Sequence, residues 1–239
     1  MPDMERYSDF LARIGTFESP ELAMGEEDFH PHAELGAKCC PDGTFRKFYG
    51  DIVVFELKHK AKEKMSVLIE ELYEKVPECF SEKIDKSTLH MTLHDLSASD
   101  NIDEVARDVF RNEVKLLEVL RENPVKDDTI KMKTNVIMNM VSKSLVMALV
   151  PCEEEDWDKL QELYALINKV KVCPYPFLTP HITLAYFNTN GFSEKSVKKL
   201  KKVVAKMNES GFDVTLDTGK LYYQHFYSMN DYKNIFPLI

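Results

Sequence analysis

The spacing of apolar residues changes along the chain between a helical period and simple alternation, and it predicts helices that alternate with strands. Amphipathic helices are predicted at 3–14, 61–76, 101–122, 153–170 and 193–209. Strands are predicted at 51–59, 88–96, 129–141, 144–150 and 178–187, with one or two more in 212–227. In the helix at 101–122, the residues expected to face the core are Ile102, Val105, Val109, Phe110, Leu117 and Leu120.

The order strand, helix, strand occurs twice, and the second copy lies 91 residues after the first. Glu71-Leu72-Tyr73 in one predicted helix recurs as Glu162-Leu163-Tyr164 in another. His90-Met91-Thr92-Leu93 recurs at the same offset as His181-Ile182-Thr183-Leu184, although chance would give only roughly 0.3 His-x-Thr triplets in this composition. A fixed offset that covers a helix and the strand after it indicates internal duplication.

Two repeats of this length indicate one pseudo-symmetric domain and not a solenoid, with a mixed α/β or α+β architecture. Residues 1–50 are predicted to form an N-terminal helix and an irregular lead-in, because glycine and proline recur through 15–50. Residues 51–239 are predicted to form a single domain with lobes at roughly 51–141 and 142–239. Strand exchange between these lobes is left open, as is the role of the lead-in.

Composition and charge restrict the possible functions. A net charge of −9 argues against tight binding of long nucleic acid, whereas a small nucleotide or one RNA end needs only a local positive pocket. No apolar run approaches a membrane span, and the N-terminus lacks the pattern of a secretion signal. Five cysteines without zinc-binding spacing favour a reducing compartment, so a cytoplasmic location is expected. A monomer is also expected.

A His-x-Thr sequence on a strand directs an imidazole and a hydroxyl to the same face, because side chains alternate along a strand. His90 and Thr92 should therefore point together, and so should His181 and Thr183. If the two halves pack about a pseudo-two-fold axis, these four side chains line one cleft. One imidazole can then remove a proton while the other donates one, and the hydroxyls can donate to phosphate oxygens.

These motifs resemble those of the 2H phosphoesterase superfamily, which includes LigT-type RNA 2′,3′-cyclic phosphodiesterases. The resemblance covers roughly residues 51–230 and rests on Leu89–Leu93 and Pro180–Leu184. It implies an α+β fold of two lobes, with antiparallel sheets lining a central cleft and helices outside. It also implies catalysis without a metal ion or other cofactor, with His90 and His181 as the acid–base pair and Thr92 and Thr183 as phosphate ligands.

The hypothesis for function is therefore a metal-independent phosphoesterase that hydrolyses a cyclic 2′,3′-type or 2′-linked nucleotide phosphodiester. Two alternatives use the same residues. One is RNA-end processing or 2′–5′ ligation, and the other is binding of a phosphorylated ligand without turnover. A zinc site is the weakest alternative, because two histidines without a fixed carboxylate or thiolate fall short of a usual ligand set.

Other residues are secondary candidates for the cleft. His94 lies four residues after His90, so it should share the cleft-facing side if the strand continues, or else reach solvent at the strand end. Tyr223 belongs to an aromatic cluster that could stack on a base or belong to the core. Lys38, Arg46 and Lys47 could add positive charge, although no pattern in the sequence determines their position.

Overall fold

The computed structural model of the chain describes residues 4–17, 22–174 and 177–239. The helices are α1 (Tyr7–Gly15), α2 (His59–Lys75), α3 (Ile102–Glu122), α4 (Glu154–Asn168) and α5 (Glu194–Met207). The strands are β1 (Tyr49–Glu56), β2 (His90–Ser99), β3 (Thr129–Met140), β4 (Ser144–Pro151), β5 (His181–Tyr186), β6 (Asp213–Asp217), β7 (Leu221–Ser228) and β8 (Asp231–Pro237). None of these described helices has the length and apolar content needed to cross a membrane.

The strands form two four-stranded antiparallel sheets, with the orders β2-β1-β7-β8 and β5-β4-β3-β6. Each sheet has an H-x-T strand at one edge and a largely buried strand, β1 or β4, beside it. Helix α3 packs against β1 and β2, and helix α4 packs against β3 and β2. The fold is therefore α+β, as predicted, and its two sheets are arranged as pseudo-equivalent units.

The two sheets do not coincide with the two halves of the sequence. Strand β3, which lies before residue 141, belongs to the second sheet, whereas β7 and β8 return to the first. Strand β1 therefore pairs with β7, and β4 pairs with β3. In each case the partner strand lies in the part of the sequence that the predicted boundary at residue 141 assigned to the other lobe. The β3–β4 hairpin was predicted, and its turn places Val141 and Ser142 at positive φ while Asn139 Oδ1 accepts a hydrogen bond from Ser142 N.

Two local predictions differ from the structure. In α3 the buried positions are Val105, Asn112, Leu116 and Val119. Ile102, Phe110 and Leu117 are exposed, so the predicted inward face was wrong for these three residues. Asn112 lies on the buried face and donates a hydrogen bond to Asp51 of β1, a contact that apolar spacing does not reveal. Strand β8 was not predicted, because it is a mostly exposed, polar edge strand.

The N-terminal helix α1 is attached to the second half of the chain. The Phe10 ring stacks on the Trp157 indole of α4, with ring centroids 4.1 Å apart, and Trp157 Nε1 donates to the carbonyl of Glu5. Arg13 forms a two-pronged ion pair with Glu5 at 2.8 Å. Arg13 also donates to Leu178 O and Thr179 Oγ1, just before strand β5. Helix α1 therefore holds Leu178 and Thr179, the residues that lead into the strand with the second H-x-T motif.

Candidate active site

The two motif histidines have the same hydrogen bond in both halves of the molecule. Nδ1 of His90 lies 2.6 Å from Thr88 O, and Nδ1 of His181 lies 2.7 Å from Thr179 O. A carbonyl oxygen can accept a hydrogen bond but cannot donate one, so Nδ1 must carry the proton in each ring. The Nε2 atom of each neutral imidazole is then a free base, available to accept a proton.

Both histidines and both motif threonines line one cleft of about 370 Å³. Strands β2 and β5, the edge strands of the two sheets, contact each other there. His90, Thr92, His181 and Thr183 are all partly exposed, whereas the alternate residues of both motifs are buried. The alternation predicted from the sequence therefore holds over each His-x-Thr triplet.

A β-bulge interrupts each motif strand directly after its threonine. In β2 the pairing shifts between Val53 and Val54 of β1, and in β5 it shifts between Leu145 and Val146 of β4. The extra residue reverses which later side chains face the cleft. Asp95 and Tyr186, which are 91 residues apart, both line the cleft as a result.

The bulge in β2 also determines the side of the strand on which His94 lies. Its side chain is buried, with its ring nitrogens 2.7 Å from Asp95 O and 3.0 Å from Asn168 Oδ1. The ring lines the cleft, as expected, but it is buried and does not share the open face with His90, because the bulge interrupts the simple alternation. Burial lowers the pKa of His94, and its polar contacts indicate a structural link between β2 and α4.

Tyr223 does not line the cleft. It is fully buried, and its hydroxyl donates to Asp51 Oδ2 at 3.0 Å and lies 3.3 Å from Val109 O of α3. Asn112 also donates to Asp51, and burial raises the pKa of this carboxyl group. Tyr223 therefore belongs to a polar network between the first sheet and α3, on the side of the sheet away from the cleft.

Burial lowers the pKa of both cleft imidazoles. The pKa of His90 falls to about 4, mainly through loss of solvent, and the charge of a protonated His181 lowers it further. Burial likewise lowers the pKa of His181, which the positive charge of Lys38 lowers further. Asp95 raises both pKa values. Both imidazoles are therefore neutral at pH 7 in the free protein, with Asp95 as the carboxylate that favours their protonated forms.

Aromatic rings and two lysines complete the walls of the cleft. The Tyr232 ring meets His90 edge-on at 5.0 Å between centroids, and Phe226 packs against Tyr232. Burial raises the pKa of the Tyr186 phenol, which stays neutral and can donate a hydrogen bond. Lys38 and Lys143 also line the cleft. The site thus combines a local positive charge with ring surfaces of the size of a nucleobase.

A larger and mostly apolar cavity of about 790 Å³ lies beside this cleft. The two share Tyr164, Cys173, Phe177 and Leu178 in their walls, but neither motif histidine borders the larger cavity. Its size alone does not make it a reaction site, and none of the four motif side chains borders it. The chemistry is therefore assigned to the smaller cleft.

Several cleft residues were missed by sequence reasoning. The carbonyls of Thr88 and Thr179 had a visible signal, because these threonines are also 91 residues apart and extend the repeat to T-x-H-x-T-L. Asp95 and Tyr186 follow the same offset but depend on the bulges. Tyr232 and Lys143 reach the cleft through tertiary folding and had no local signal. Arg46 and Lys47 do not line it.

The threonine hydroxyls are expected to contribute modestly to turnover. Replacement of Thr92 or Thr183 by Val keeps the side-chain shape and removes one hydroxyl donor from the cleft. We expect kcat/KM to fall about 5- to 10-fold for each variant, since a neutral hydrogen bond is worth about 1 kcal/mol. Thr129→Val, at an exposed position of β3, is the matched control. Equal rates for all three variants would exclude the hydroxyls as substrate ligands.

Comparisons with protein-family models and with curated proteins found no match. Among solved structures, a conserved protein of unknown function (ATU0111) from Agrobacterium tumefaciens shares the fold, with a TM-score of 0.64, 14% identity, and coverage of 88% of this chain and 94% of that one. Escherichia coli LigT aligns with a TM-score of 0.45 and 14% identity over 80% of this chain and 96% of that one. TT0787 of Thermus thermophilus aligns with a TM-score of 0.44 and 12% identity, over 78% and 94% respectively.

Proposed function

We propose that this protein is a 2H-type phosphoesterase that hydrolyses a cyclic 2′,3′-type or 2′-linked nucleotide phosphodiester without a metal ion. The observation that carries the proposal is the matched pair of Nδ1–carbonyl hydrogen bonds at His90 and His181. They fix both rings in the tautomer whose Nε2 can exchange a proton. Both rings share one cleft with Thr92 and Thr183, which is the arrangement that acid–base catalysis at one phosphorus atom requires.

The two imidazoles have different roles in this mechanism. We place the proton of the pair on His181, because burial lowers the pKa of His90 to about 4 and a positive charge on His181 lowers it further. Neutral His90 then takes a proton from water while the water oxygen bonds to phosphorus. The P–O bond to the leaving ribose oxygen breaks, and His181 gives that oxygen its proton. The products are a phosphomonoester and a free ribose hydroxyl.

The threonine hydroxyls and the cleft cations stabilise the charge that develops on the non-bridging phosphate oxygens. The neutral phenol of Tyr186 can donate to the same anion. The aromatic walls offer a nucleobase a surface for stacking. Both proton transfers are supplied by side chains, so we propose that excess chelator leaves the rate unchanged.

We further propose that the substrate is a small nucleotide or an RNA end, that the protein acts as a monomer, and that it works in the cytoplasm. The net charge of −9 disfavours a long nucleic acid, and Lys38 and Lys143 supply positive charge in the cleft for a small anion. All five cysteines are free thiols, which suits a reducing compartment.

The proposed function is tested by a substrate panel in excess EDTA. The panel contains 2′,3′-cyclic mononucleotides, oligonucleotides with cyclic ends, and 2′–5′ linked oligomers, and chromatography identifies the products. We expect release of a phosphomonoester from at least one diester. Joining of RNA ends would support the ligation alternative, and binding of the panel without turnover would support the binding protein. Activity that is lost in EDTA and restored by Mn²⁺ or Zn²⁺ would replace the mechanism with a metal-centred one.

The pH dependence of kcat/KM is expected to be a bell with its maximum below pH 6.5. Activity should fall as the pH drops to about 4, because His90 must be neutral. It should also fall as the pH rises above the lowered pKa of His181, which must be protonated. The measurement is kcat/KM from pH 3.5 to 9 on the best diester. A maximum at or above pH 7.5 would contradict the assigned roles.

A further inference from the structure

The lead-in before β1 forms a strap, residues 29–48, that is attached to distant parts of the chain. Backbone hydrogen bonds of 2.7 to 3.2 Å attach it at four places. They run between Phe29 and Phe192, from His32 N to Ser142 O, from Glu82 N to Gly43 O, and from Phe48 N to Tyr227 O. The strap therefore contacts the segment before α5, the β3–β4 turn and strand β7, which belong to both sheets.

A tight turn in the middle of the strap fixes its path. Asp42 Oδ1 accepts hydrogen bonds from the amide and the hydroxyl of Thr44, and Gly43 has a φ of 89°, which favours glycine. On either side of the turn, Arg46 N donates to Lys38 O at 2.8 Å, and Lys38 N donates to Leu35 O at 2.9 Å. The backbone amide and the backbone carbonyl of Lys38 are thus both held by hydrogen bonds.

The Lys38 side chain enters the cleft from this fixed backbone. Its Nζ atom lies 5.3 Å from the ring centroid of Phe48 and 5.5 Å from that of Tyr186. Ring faces attract a cation at this distance, and the half-buried stem packs between them. The ammonium group is close enough to His181 for its charge to lower the pKa of that imidazole.

Other charged groups face the same space. Lys143 forms an ion pair with Glu34 of the strap, and Asp95 also lines the cleft. Lys62, whose charge reaches His90, forms an ion pair with Glu56. The ammonium group of Lys38 lies beside two aromatic rings, and its charge acts on His181.

We propose that Lys38 is a further substrate-binding residue, which the strap holds in place to bind the anionic phosphoryl group on the His181 side of the cleft. This inference rests on the proposed function for the identity of the ligand as a phosphodiester. It assigns a role to the lead-in, which becomes one wall of the site. An ammonium group is a strongly hydrated point charge, so it suits a phosphate oxygen better than a planar base.

The first test compares Lys38→Met, Lys38→Gln and Lys38→Arg with Lys47→Met, an exposed lysine of the same strap that does not line the cleft. We expect kcat/KM on the best diester to fall about 10- to 100-fold for Met and Gln, as for loss of a charge-assisted hydrogen bond. Arg should restore most of the rate, and Lys47→Met should keep it. The high-pH limb should also move to higher pH in Lys38→Met, because removal of the cation raises the pKa of His181.

The second test needs no turnover. The His181 imidazole is titrated by NMR in the wild type, Lys38→Met and Lys47→Met, with and without inorganic phosphate. We expect Lys38→Met to raise the pKa of His181 and to weaken phosphate binding at least 10-fold. If phosphate binding and the His181 titration match the control, Lys38 is not an anion ligand. If no diester is hydrolysed but Lys38→Met still weakens phosphate binding, the proposed function fails and the anion site stands.

Discussion

Replacement of His90 or His181 by Ala is expected to reduce kcat on the best diester by about 10² to 10⁴-fold, the usual loss when one proton transfer is removed. Each ring carries out one of the two proton transfers in our mechanism. His30→Ala, at an exposed position of the strap, is the control and should keep wild-type activity. Thermal unfolding of each variant separates lost catalysis from lost structure. Near-full activity in both cleft variants would exclude acid–base catalysis by this pair.

The largest expected effect on stability is that of Arg13→Ala. Its partner Glu5 has only 6% of its side chain exposed, and Arg13 itself has 22%. Removal of the guanidinium leaves a buried carboxylate without its partner, which typically costs about 3–5 kcal/mol in the free energy of unfolding. Chemical denaturation measures this loss. Arg6→Ala is the matched control from the same helix region, because the Arg6–Asp9 pair is exposed and its removal should leave the midpoint almost unchanged.

Arg13 also affects the site, as a positioning residue. It donates to Leu178 O and Thr179 Oγ1, and Thr179 O accepts the Nδ1 proton of His181. We therefore expect the folded fraction of Arg13→Ala to have a lower kcat. Equal destabilisation by Arg13→Ala and Arg6→Ala would show that the Arg13–Glu5 pair is no more important than a surface ion pair.

The core of the site could be predicted because it depends on two local rules. Strand alternation places His90 beside Thr92, and His181 beside Thr183, on one face of each strand. The offset of 91 residues then indicates that the two strands are equivalent. Neither rule needs knowledge of the tertiary fold, and both hold over the triplets in the structure.

The simple alternation of side chains does not continue past either triplet, for a physical reason. A bulge depends on the pairing with a neighbouring strand, so no pattern within β2 shows that Asp95 faces the cleft and that His94 is buried. Lys38 depends on how the strap docks against distant segments. Tyr223 was placed in an aromatic cluster by its sequence, but its hydroxyl is satisfied by Asp51, 172 residues away.

The exchange of strands between the sheets has the same origin. Apolar alternation identifies a strand but not its neighbour, so β3 and β7 could each have joined either sheet. Helix α3 shows a related limit, because Asn112 was not among the residues expected to face the core although it binds the buried Asp51. Buried polar pairs are the feature that periodicity alone does not detect.

The central claim is that His90 and His181 act together in one step on a phosphodiester. The most direct test is a double-mutant cycle of His90→Ala, His181→Ala and the double variant, measured as kcat on the best diester in excess EDTA. Mutations of residues that act as a unit have strongly non-additive effects on the rate. We therefore expect the double variant to be no more than about 10-fold slower than the slower single variant. If the two single losses multiply in the double variant, the histidines act independently and the account is contradicted.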